Sequence, residues 1–543
     1  MPAKNHPAKR NRKTNAESEI IATADFETDP FKYGRIPRPF CAGFFSPESG
    51  FRLFWGEDCA AQLVAFLYTL KTPHRVYFHN GGKFDFFLMT EHLENPVRII
   101  NGRIVKVACG IHTLQDSYAM IPLALARFDK DEIDYAKLES DVRENHRDEI
   151  VSYLRKDCTS LYNVVTRFRD RFGDKMTLGS AALTELRKIH PFDNCSEYHD
   201  TKFRPFYFGG RVEFFERGIL KGDWKVYDVN SMYPYVMLHY WHPTGKVYAH
   251  KLGGIIDKHG RLAGFADARV YFARIQCKQK GAFPVRVKNA PLDFNVPEGE
   301  FFVTSHELKA ALELGLVSDV KLIEAFVPRE TIQFAEFVDT WNEEKMTCGN
   351  QGDKTGREFA KLIMNSSYGK TAQNPDNYFD FHLQRIGDEM PDEPYEIYSS
   401  IAGGAKIWRK KAESKSYYDV AIAASITGAA RSVLLRAIHS AIRPVYCDTD
   451  SLICESLSLD LDASRLGAWK FEGDGDSLAI AGKKTYCLRN GRETVKLASK
   501  GARLTAAQIF DICGGKRIEW FNDAPTFSLS DKPKFVKRNL KLT

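Results

Sequence analysis

The chain has 543 residues, too many for a single hydrophobic core, and its length predicts three or four domains. With 77 Lys and Arg against 70 Asp and Glu the net charge is +7, a mildly basic balance that suits a polyanionic partner without specifying one. The 11 cysteines include no Cys-x-x-Cys pair, which speaks against a zinc ribbon or disulfide framework and predicts a reducing compartment, while no signal sequence opens the chain and no apolar run approaches the ~18 residues of a membrane span.

Met1 to Ser18 is rich in Lys, Arg and Asn and nearly devoid of large apolar residues, which predicts a disordered basic tail. A basic arm on nucleic acid is the alternative; a transit peptide fits less well, because no amphipathic pattern is visible. Glu19 to Ala24 reads as a buried strand that ends in Asp25-Phe26-Glu27-Thr28. Strand side chains alternate, so Asp25 and Glu27 share a face. A second strand, Arg75 to Phe78, runs into His79-Asn80-Gly81-Gly82-Lys83-Phe84-Asp85. Further on, helical spacing puts Tyr153 and Asp157 on one side of a helix. Four carboxylates (Asp25, Glu27, Asp85 and Asp157) and a tyrosine are what a two-metal phosphodiester hydrolase needs. One ion generates the attacking hydroxide and the other steadies the leaving oxygen, and Tyr153 could orient the water. Each fragment alone is common; their order and strand context carry the argument.

Trp224 to Tyr227 predicts a strand ending in Asp228, followed by the turn Val229-Asn230-Ser231-Met232-Tyr233-Pro234. Taken alone, Asp228 would pass for a helix cap. Gly349 to Thr355 is not a phosphate-binding P-loop, because Asp353 interrupts the required Gly-Lys-Ser/Thr. Thr355 to Tyr368 reads as a helix stopped by Gly369. Arg357, Lys361, Met364, Asn365 and Tyr368 fall on one side, with Phe359, Leu362, Ile363 and Ser366 opposite. A solvated basic face would give the same pattern, but two cations one turn apart beside Asn and Tyr suit a triphosphate and its base. Tyr446-Cys447-Asp448-Thr449-Asp450-Ser451, between apolar runs, reads as the tip of a buried β-hairpin. In an extended backbone Asp448 and Asp450 would converge, and a divalent cation would relieve their repulsion, with Asp228 as the third carboxylate. A solvated turn is the competing explanation. Lys484-Thr485-Tyr486 adds a cation followed by an aromatic ring.

Together these segments resemble family B DNA polymerases. The stretch from Asp228 to Pro234 is similar to that family's motif A, Lys361 to Gly369 to motif B, Tyr446 to Ser451 to motif C, and Lys484 to Tyr486 to the K-x-Y motif. The first four carboxylates and Tyr153 resemble the three motifs of a DnaQ-like 3′–5′ exonuclease over roughly residues 19–175. Within the family the likeness is to the protein-primed branch of phages, adenoviruses and linear plasmids. Tyr207-Phe208-Gly209-Gly210 resembles its Y-x-G-G linker, and Lys130-x-x-Ile133 its exonuclease lysine motif. Thr427 to Arg431 resembles its primer-binding segment, and the long interval from Asp228 to Lys361 leaves room for a first terminal-protein region.

The resemblance implies an α+β multidomain fold: a DnaQ/RNase H-like exonuclease domain plus a right-hand polymerase with two terminal-protein-region insertions. The implied boundaries are 1–18 tail, 19–175 exonuclease, 176–240 palm, 241–337 terminal-protein region 1, 338–373 fingers, 374–418 terminal-protein region 2, 419–500 palm and 501–543 thumb. Asp228, Asp450 and the Val229 carbonyl would hold two Mg2+, replaceable by Mn2+, with Asp448 beside them. Tyr233, Lys345, Arg357, Lys361, Asn365 and Tyr368 would meet the dNTP. Lys484, Tyr486, Thr427, Arg431, Tyr207, Gly209 and Gly210 would contact primer-template DNA. Asp25, Glu27, Asp85 and Asp157 would bind the exonuclease metals, helped by Tyr153 and Lys130, with Thr28, His79, Asn80, Phe84 and Ser117 on the single strand. The expected partners are DNA, dNTPs and a terminal protein primer; the expected protein is a monomer, off the membrane, in the cytoplasm of an infected bacterial host or in an organelle.

Three departures stand out. Asn80 and Phe84 are spaced one residue wider than in some members, the second insertion is somewhat enlarged, and the thumb is short. The rival readings are a primer-independent family B polymerase, a reverse transcriptase and a non-catalytic DNA-binding remnant. Thr449 between the aspartates argues against the second, and the intact carboxylates against the third.

Overall fold

The computed structural model describes residues 19–128, 131–392, 394–401, 404–412, 418–529 and 533–542; the basic tail and Lys130 lie outside the described residues. The chain divides into two compact units. The first comprises the described residues through Met176 together with Phe379–Lys411 and Pro525–Lys534.

Its centre is the strand Ile20–Thr28, which pairs antiparallel with Pro39–Ser46 and parallel with His74–Phe78. His74–Phe78 in turn pairs parallel with His112–Asp116. Ala22, Ala24, Val76, Phe78 and Leu114 are buried in the core of this sheet, which accounts for the nearly continuous apolar runs in its central strands. The helix Arg147–Phe172 lies across the strands, and the Thr23 hydroxyl donates to the Cys158 carbonyl at 2.7 Å. Gly43 permits that approach: a Cβ there would sit 2.9 Å from both Cys158 Sγ and Leu154 Cγ.

Residues 379–411 belong to this sheet. Strands Phe379–Gln384, Glu396–Ser400 and Lys406–Lys411 extend it, with Phe381 opposite Val97. The Asn95 side chain bonds both backbone groups of Leu383, at 2.8 and 2.6 Å, and Leu383, Ile401 and Ile407 are buried in the shared core. Leu529 joins that core, and Phe527 packs edge-on against Phe84. Two segments allotted by sequence to a terminal-protein region and a thumb therefore contribute to the first unit. Local pattern showed their strands' propensity but not which sheet edge they would complete.

The second unit is built on a seven-stranded sheet in which Gly218–Val229 lies between Trp469–Gly482 and Ser451–Cys454. Within 241–337, four antiparallel strands form a second sheet with its own core around Tyr271, Phe283, Phe301 and Leu308. The helices Ala335–Asn350 and Lys354–Thr371 follow. Asp353, the residue that disqualifies a P-loop, caps the second of them by accepting from the Gly356 N–H at 3.0 Å. This helix runs past its expected stop: Gly369 keeps helical backbone, since glycine permits a left-handed terminus without compelling one. Met364, expected on the polar side, is fully buried.

The helix Val420–Ser440 corrects the expectation about apolar runs. It is long and apolar enough to cross a membrane, with a mean hydropathy of 1.4, but 89% of that window is buried inside the protein, so it reads as a core helix.

Replacing Gly43 with alanine is expected to lower unfolding stability by about 1–3 kcal/mol through overpacking. Chemical denaturation checks this; an unchanged midpoint would mean that the Arg147–Phe172 helix moves away at no cost.

Candidate active sites

In the first unit, Asp25 and Glu27 close the central strand and Asp157 comes from the overlying helix. Ligand atoms of all three lie within 4.8 Å of one another. Tyr153 is buried one helical turn before Asp157. Asp85 heads a short 3-10 turn and is 2% exposed. Burial first, then the charge of Asp25, pushes its carboxyl well above the usual carboxylate range. Its Oδ1 has no hydrogen-bond partner among the described residues. Crowded, desolvated carboxylates with an unused oxygen fit divalent cations, which supply the missing positive charge.

The loop that carries Asp85 is built around a residue the sequence reading missed. Asp116 is fully buried and accepts N–H bonds from Asn80 (3.1 Å), Gly82 (3.2 Å) and Tyr118 (2.9 Å). Arg103 pairs with Asp116 and reaches Asn80 Oδ1 at 2.8 Å. Gly82 is required here, since a Cβ would lie 1.9 Å from the Ile104 carbonyl oxygen. His79 bonds Ser117 Oγ at 3.0 Å and the Leu123 carbonyl at 2.9 Å. Three expected strand ligands (His79, Asn80 and Ser117) thus hold the loop together. Phe84 packs edge-on to Phe31, itself 46% exposed, while Thr28 is buried with its hydroxyl on the Asp29 carbonyl. Asp116 ends the strand His112–Asp116, in which Leu114 is the one apolar residue, so no apolar run marked it in the sequence.

In the second unit, Asp228 ends its strand opposite Ser451 on one side and Lys470 on the other. Asp450 is not in extended backbone. Strands Tyr446–Asp448 and Ser451–Cys454 are joined by a two-residue turn with Thr449 at φ 62°. Thr449 N–H donates to the Arg211 carbonyl at 2.7 Å, and the Asp450 carbonyl accepts from Val229 N–H at 2.8 Å. Asp448 turns instead to Lys484, whose ammonium lies 2.7 Å from Oδ2. The extended backbone expected between Asp448 and Asp450 is therefore corrected to a left-handed turn, across which Asp448 still acts on Asp450. Burial, then Asp228, then Asp448 pushes the Asp450 carboxyl up to about 6. Burial also raises Asp228, against the opposing pull of Lys470. Lys470 lies 3.3 Å from Asp228 and 2.8 Å from Glu472, and Glu472 also pairs with Lys496. This relay was missed by sequence, although Lys470 and Glu472 stand two apart on one strand.

Around this centre, the rings of Tyr233 and Tyr368 stack with centroids 4.0 Å apart and planes 16° apart. Lys345 is half-buried, and burial, then Arg357, then Lys361 lowers its pKa, so three cations reinforce one positive field. The Asn365 amide donates to the Lys361 carbonyl at 2.8 Å. Tyr486 is buried against Tyr446, whose hydroxyl accepts from Lys484 N–H at 2.9 Å.

Two expected DNA contacts are internal. Thr427 is 2% exposed and its hydroxyl bonds back to the Ala423 carbonyl at 3.0 Å. Arg431 is 4% exposed, pairs with Glu307 at 2.8 Å and donates to the carbonyls of Phe208 and Gly209 at 2.6 and 2.8 Å. It clamps the Tyr207–Gly210 linker and offers no surface to DNA. Gly210 in turn lets the linker pass the Thr449 turn, since a Cβ would lie 2.8 Å from Thr449 Cγ2.

The family model for DNA polymerase type B, organellar and viral, matches residues 128–459. The chain belongs to that family. It is 42% identical to the DNA-directed DNA polymerase of Enterobacteria phage PRD1, over 96% of this chain and 98% of the relative. It is 24% identical to the DNA polymerase of Bacillus phage phi29, over 77% of this chain and 78% of that one. The fold matches that of phi29 DNA polymerase complexed with primer-template DNA and incoming nucleotides, with a TM-score of 0.69 at 19% identity over 97% of this chain and 100% of the other. This chain is therefore a phage-type DNA-directed DNA polymerase, with the α+β architecture of an exonuclease fold plus palm, fingers and thumb. Family members use divalent metal ions, which the two carboxylate centres suit.

One pH dependence follows. Without metal, the folded state holds the Asp450 proton up to about pH 6, above the ordinary value of 3.8. This group therefore favours the folded state at low pH, and the contribution is lost as pH rises through about 6. A bound cation competes with that proton. The gain in melting temperature on adding Mg2+ is expected to be larger at about pH 7.5 than at about pH 5.5. An equal gain at both values would contradict the competition.

Proposed function

We propose that this polymerase extends DNA with Mg2+ at Asp228 and Asp450, proofreads with a 3′–5′ exonuclease at Asp25, Glu27, Asp85 and Asp157, and starts chains on a protein hydroxyl. The observation that carries the first two parts is the pair of separate carboxylate centres, each within its own unit. Mn2+ could take the place of Mg2+, and the Val229 carbonyl is offered as a further ligand.

When bound, the ions would activate the attacking hydroxyl and neutralise the charge that develops on phosphate oxygens. The rest falls to the chain's own groups. Lys345, Arg357 and Lys361 attract and orient the triphosphate. Tyr233, stacked on Tyr368, forms a wall against the sugar where a 2′-hydroxyl would project. Lys484 neutralises Asp448 and so leaves Asp228 and Asp450 for the cations. In the exonuclease centre, Tyr153 orients the water, while Phe31 and Phe84 offer rings to a frayed end.

Relatives support this reading by kind: phi29 DNA polymerase has been captured with single-stranded DNA and with primer-template DNA and incoming nucleotides. Protein priming rests on the branch resemblance and on the separately cored sheet within 241–337, which is more than a connection between palm and fingers requires. The host of such phages makes the bacterial cytoplasm the expected place of action, and a monomer the expected form.

Asp450→Ala is expected to lower nucleotide incorporation at least about a thousandfold, ~4 kcal/mol, while sparing degradation of single-stranded DNA. Asp25→Ala combined with Asp157→Ala should do the reverse. Equal loss of both activities in a folded variant would sink the two-centre reading. Tyr233→Val should narrow the dNTP over rNTP preference on a primed template by roughly tenfold, about 1.4 kcal/mol; an unchanged preference would mean that the gate lies elsewhere. Protein priming predicts a covalent nucleotide adduct when the enzyme is given its replicon's terminal protein, template and one labelled dNTP. Extension of oligonucleotide primers with no adduct on the terminal protein would refute it.

A further inference from the structure

The second unit holds another group of metal-binding side chains, apart from the carboxylate centre, of which Cys195 is half-buried. Cys195 precedes the helix Glu197–Phe203, His199 lies within it, and Asp419 opens the core helix Val420–Ser440. Ligand atoms of the three lie within 4.8 Å of one another. His199 and Asp419 are only 6% and 5% exposed. His199 Nε2 stands 3.4 Å from Asp419 Oδ1 and makes no hydrogen bond among the described residues. The Tyr248 hydroxyl, on a ring 5.4 Å from that of His199, is also buried without a hydrogen-bond partner among the described residues.

Asp419 has a role in capping: its Oδ1 accepts from Ala421 N–H at 2.9 Å and Ile422 N–H at 3.4 Å. Capping explains the aspartate but leaves the imidazole nitrogen and the phenol unaccounted for, and an unmade buried hydrogen bond costs about 1–3 kcal/mol. A charge-assisted N–H···O bond would close to about 2.7–2.9 Å. Two donors on one tetrahedral zinc ion, each ~2.0–2.1 Å from it, stand about 3.3 Å apart, which is the observed kind of spacing. The sulfur, nitrogen and oxygen donor set selects zinc over the hard, oxygen-seeking ions of the catalytic centres.

We propose that Cys195, His199 and Asp419 bind one zinc-class divalent ion, with the Tyr248 hydroxyl as the available donor for a fourth position. The Cys195 thiol releases its proton to solvent as the sulfur–metal bond forms, and no redox change is involved. The site is structural. Cys195 N–H already bonds the Tyr418 carbonyl at 3.0 Å, and Asn194 accepts from Tyr418 N–H at 3.3 Å. The ion would staple residues 194–199 to the first turn of the helix whose Arg431 clamps the palm linker.

The test is a titration of the chelator-stripped full-length chain with Co2+. The expected result is one Co2+ per chain with a thiolate charge-transfer absorption and strong tetrahedral visible bands, displaced by Zn2+ and unaffected by excess Mg2+. Cys195→Ser should abolish the charge-transfer absorption, while Asp25→Asn and Asp450→Asn should retain it. Absence of the absorption in the wild type, or its persistence in Cys195→Ser, would overturn the site. Should Cys195→Ser fail to fold, elemental analysis of wild-type protein from zinc-supplemented cells decides: close to one zinc per chain supports the proposal, and below about 0.1 overturns it.

Discussion

Carboxylates held close together away from water are the constraint on which the rest of this structure depends. Ligand atoms of Asp25, Glu27 and Asp157 come within 4.8 Å of one another, and at an effective dielectric of ~20 each charged pair at that separation costs on the order of 3–4 kcal/mol. A domain's whole stability is only about 5–15 kcal/mol, so such a cluster persists only where the surrounding fold overrides the repulsion and cations relieve it. The second centre manages the same problem with protein cations as well. Lys484 takes Asp448, and Lys470, itself shared with Glu472, approaches Asp228. Asp450 has no such lysine among its ion pairs in the described residues, and its carboxyl is the one raised to about 6.

Rigid support for these groups comes from close backbone approaches and from buried polar hubs. Gly82 and Gly210 admit neighbouring atoms that any Cβ would displace. Asp116 gathers three backbone N–H groups and Arg103 beneath the first centre, while Arg431 ties Glu307 to the linker in the second unit. Breaking one partner of such a buried pair typically costs about 3–5 kcal/mol, because the remaining charge is left uncompensated. The residues resembling primer-binding and strand-binding motifs therefore divide. Some present rings or cations around a centre, and others, such as Arg431 and Asn80, hold the segments that do.

Residues 379–411 illustrate how a segment can be stabilised without a core of its own. Three short strands cannot bury enough apolar surface alone, so they complete a sheet edge and share its core through Leu383, Ile401 and Ile407. By contrast, the segment within 241–337 folds around its own Tyr271, Phe283 and Phe301. The first device covers an otherwise open row of backbone donors and acceptors; in the second, Phe272 and Phe326 also pack against Val420 and Ala424 of the core helix.

The sequence by itself determined the chemistry. Carboxylates at strand ends, a basic helix carrying Asn365 and Tyr368, and the Asp448-Thr449-Asp450 turn all lie in short segments, where spacing and local backbone rules are enough to read them. Tertiary structure alone decided the partners. That Asp450 answers to Asp228 while Asp448 answers to Lys484 depends on one left-handed residue, Thr449, in a turn that strand alternation could not foresee. Asp116, Lys470 and the capture of 379–411 by a distant strand were illegible for the same reason. Each is defined by a neighbour far away in the chain, and only packing selects among the many neighbours that local propensity allows.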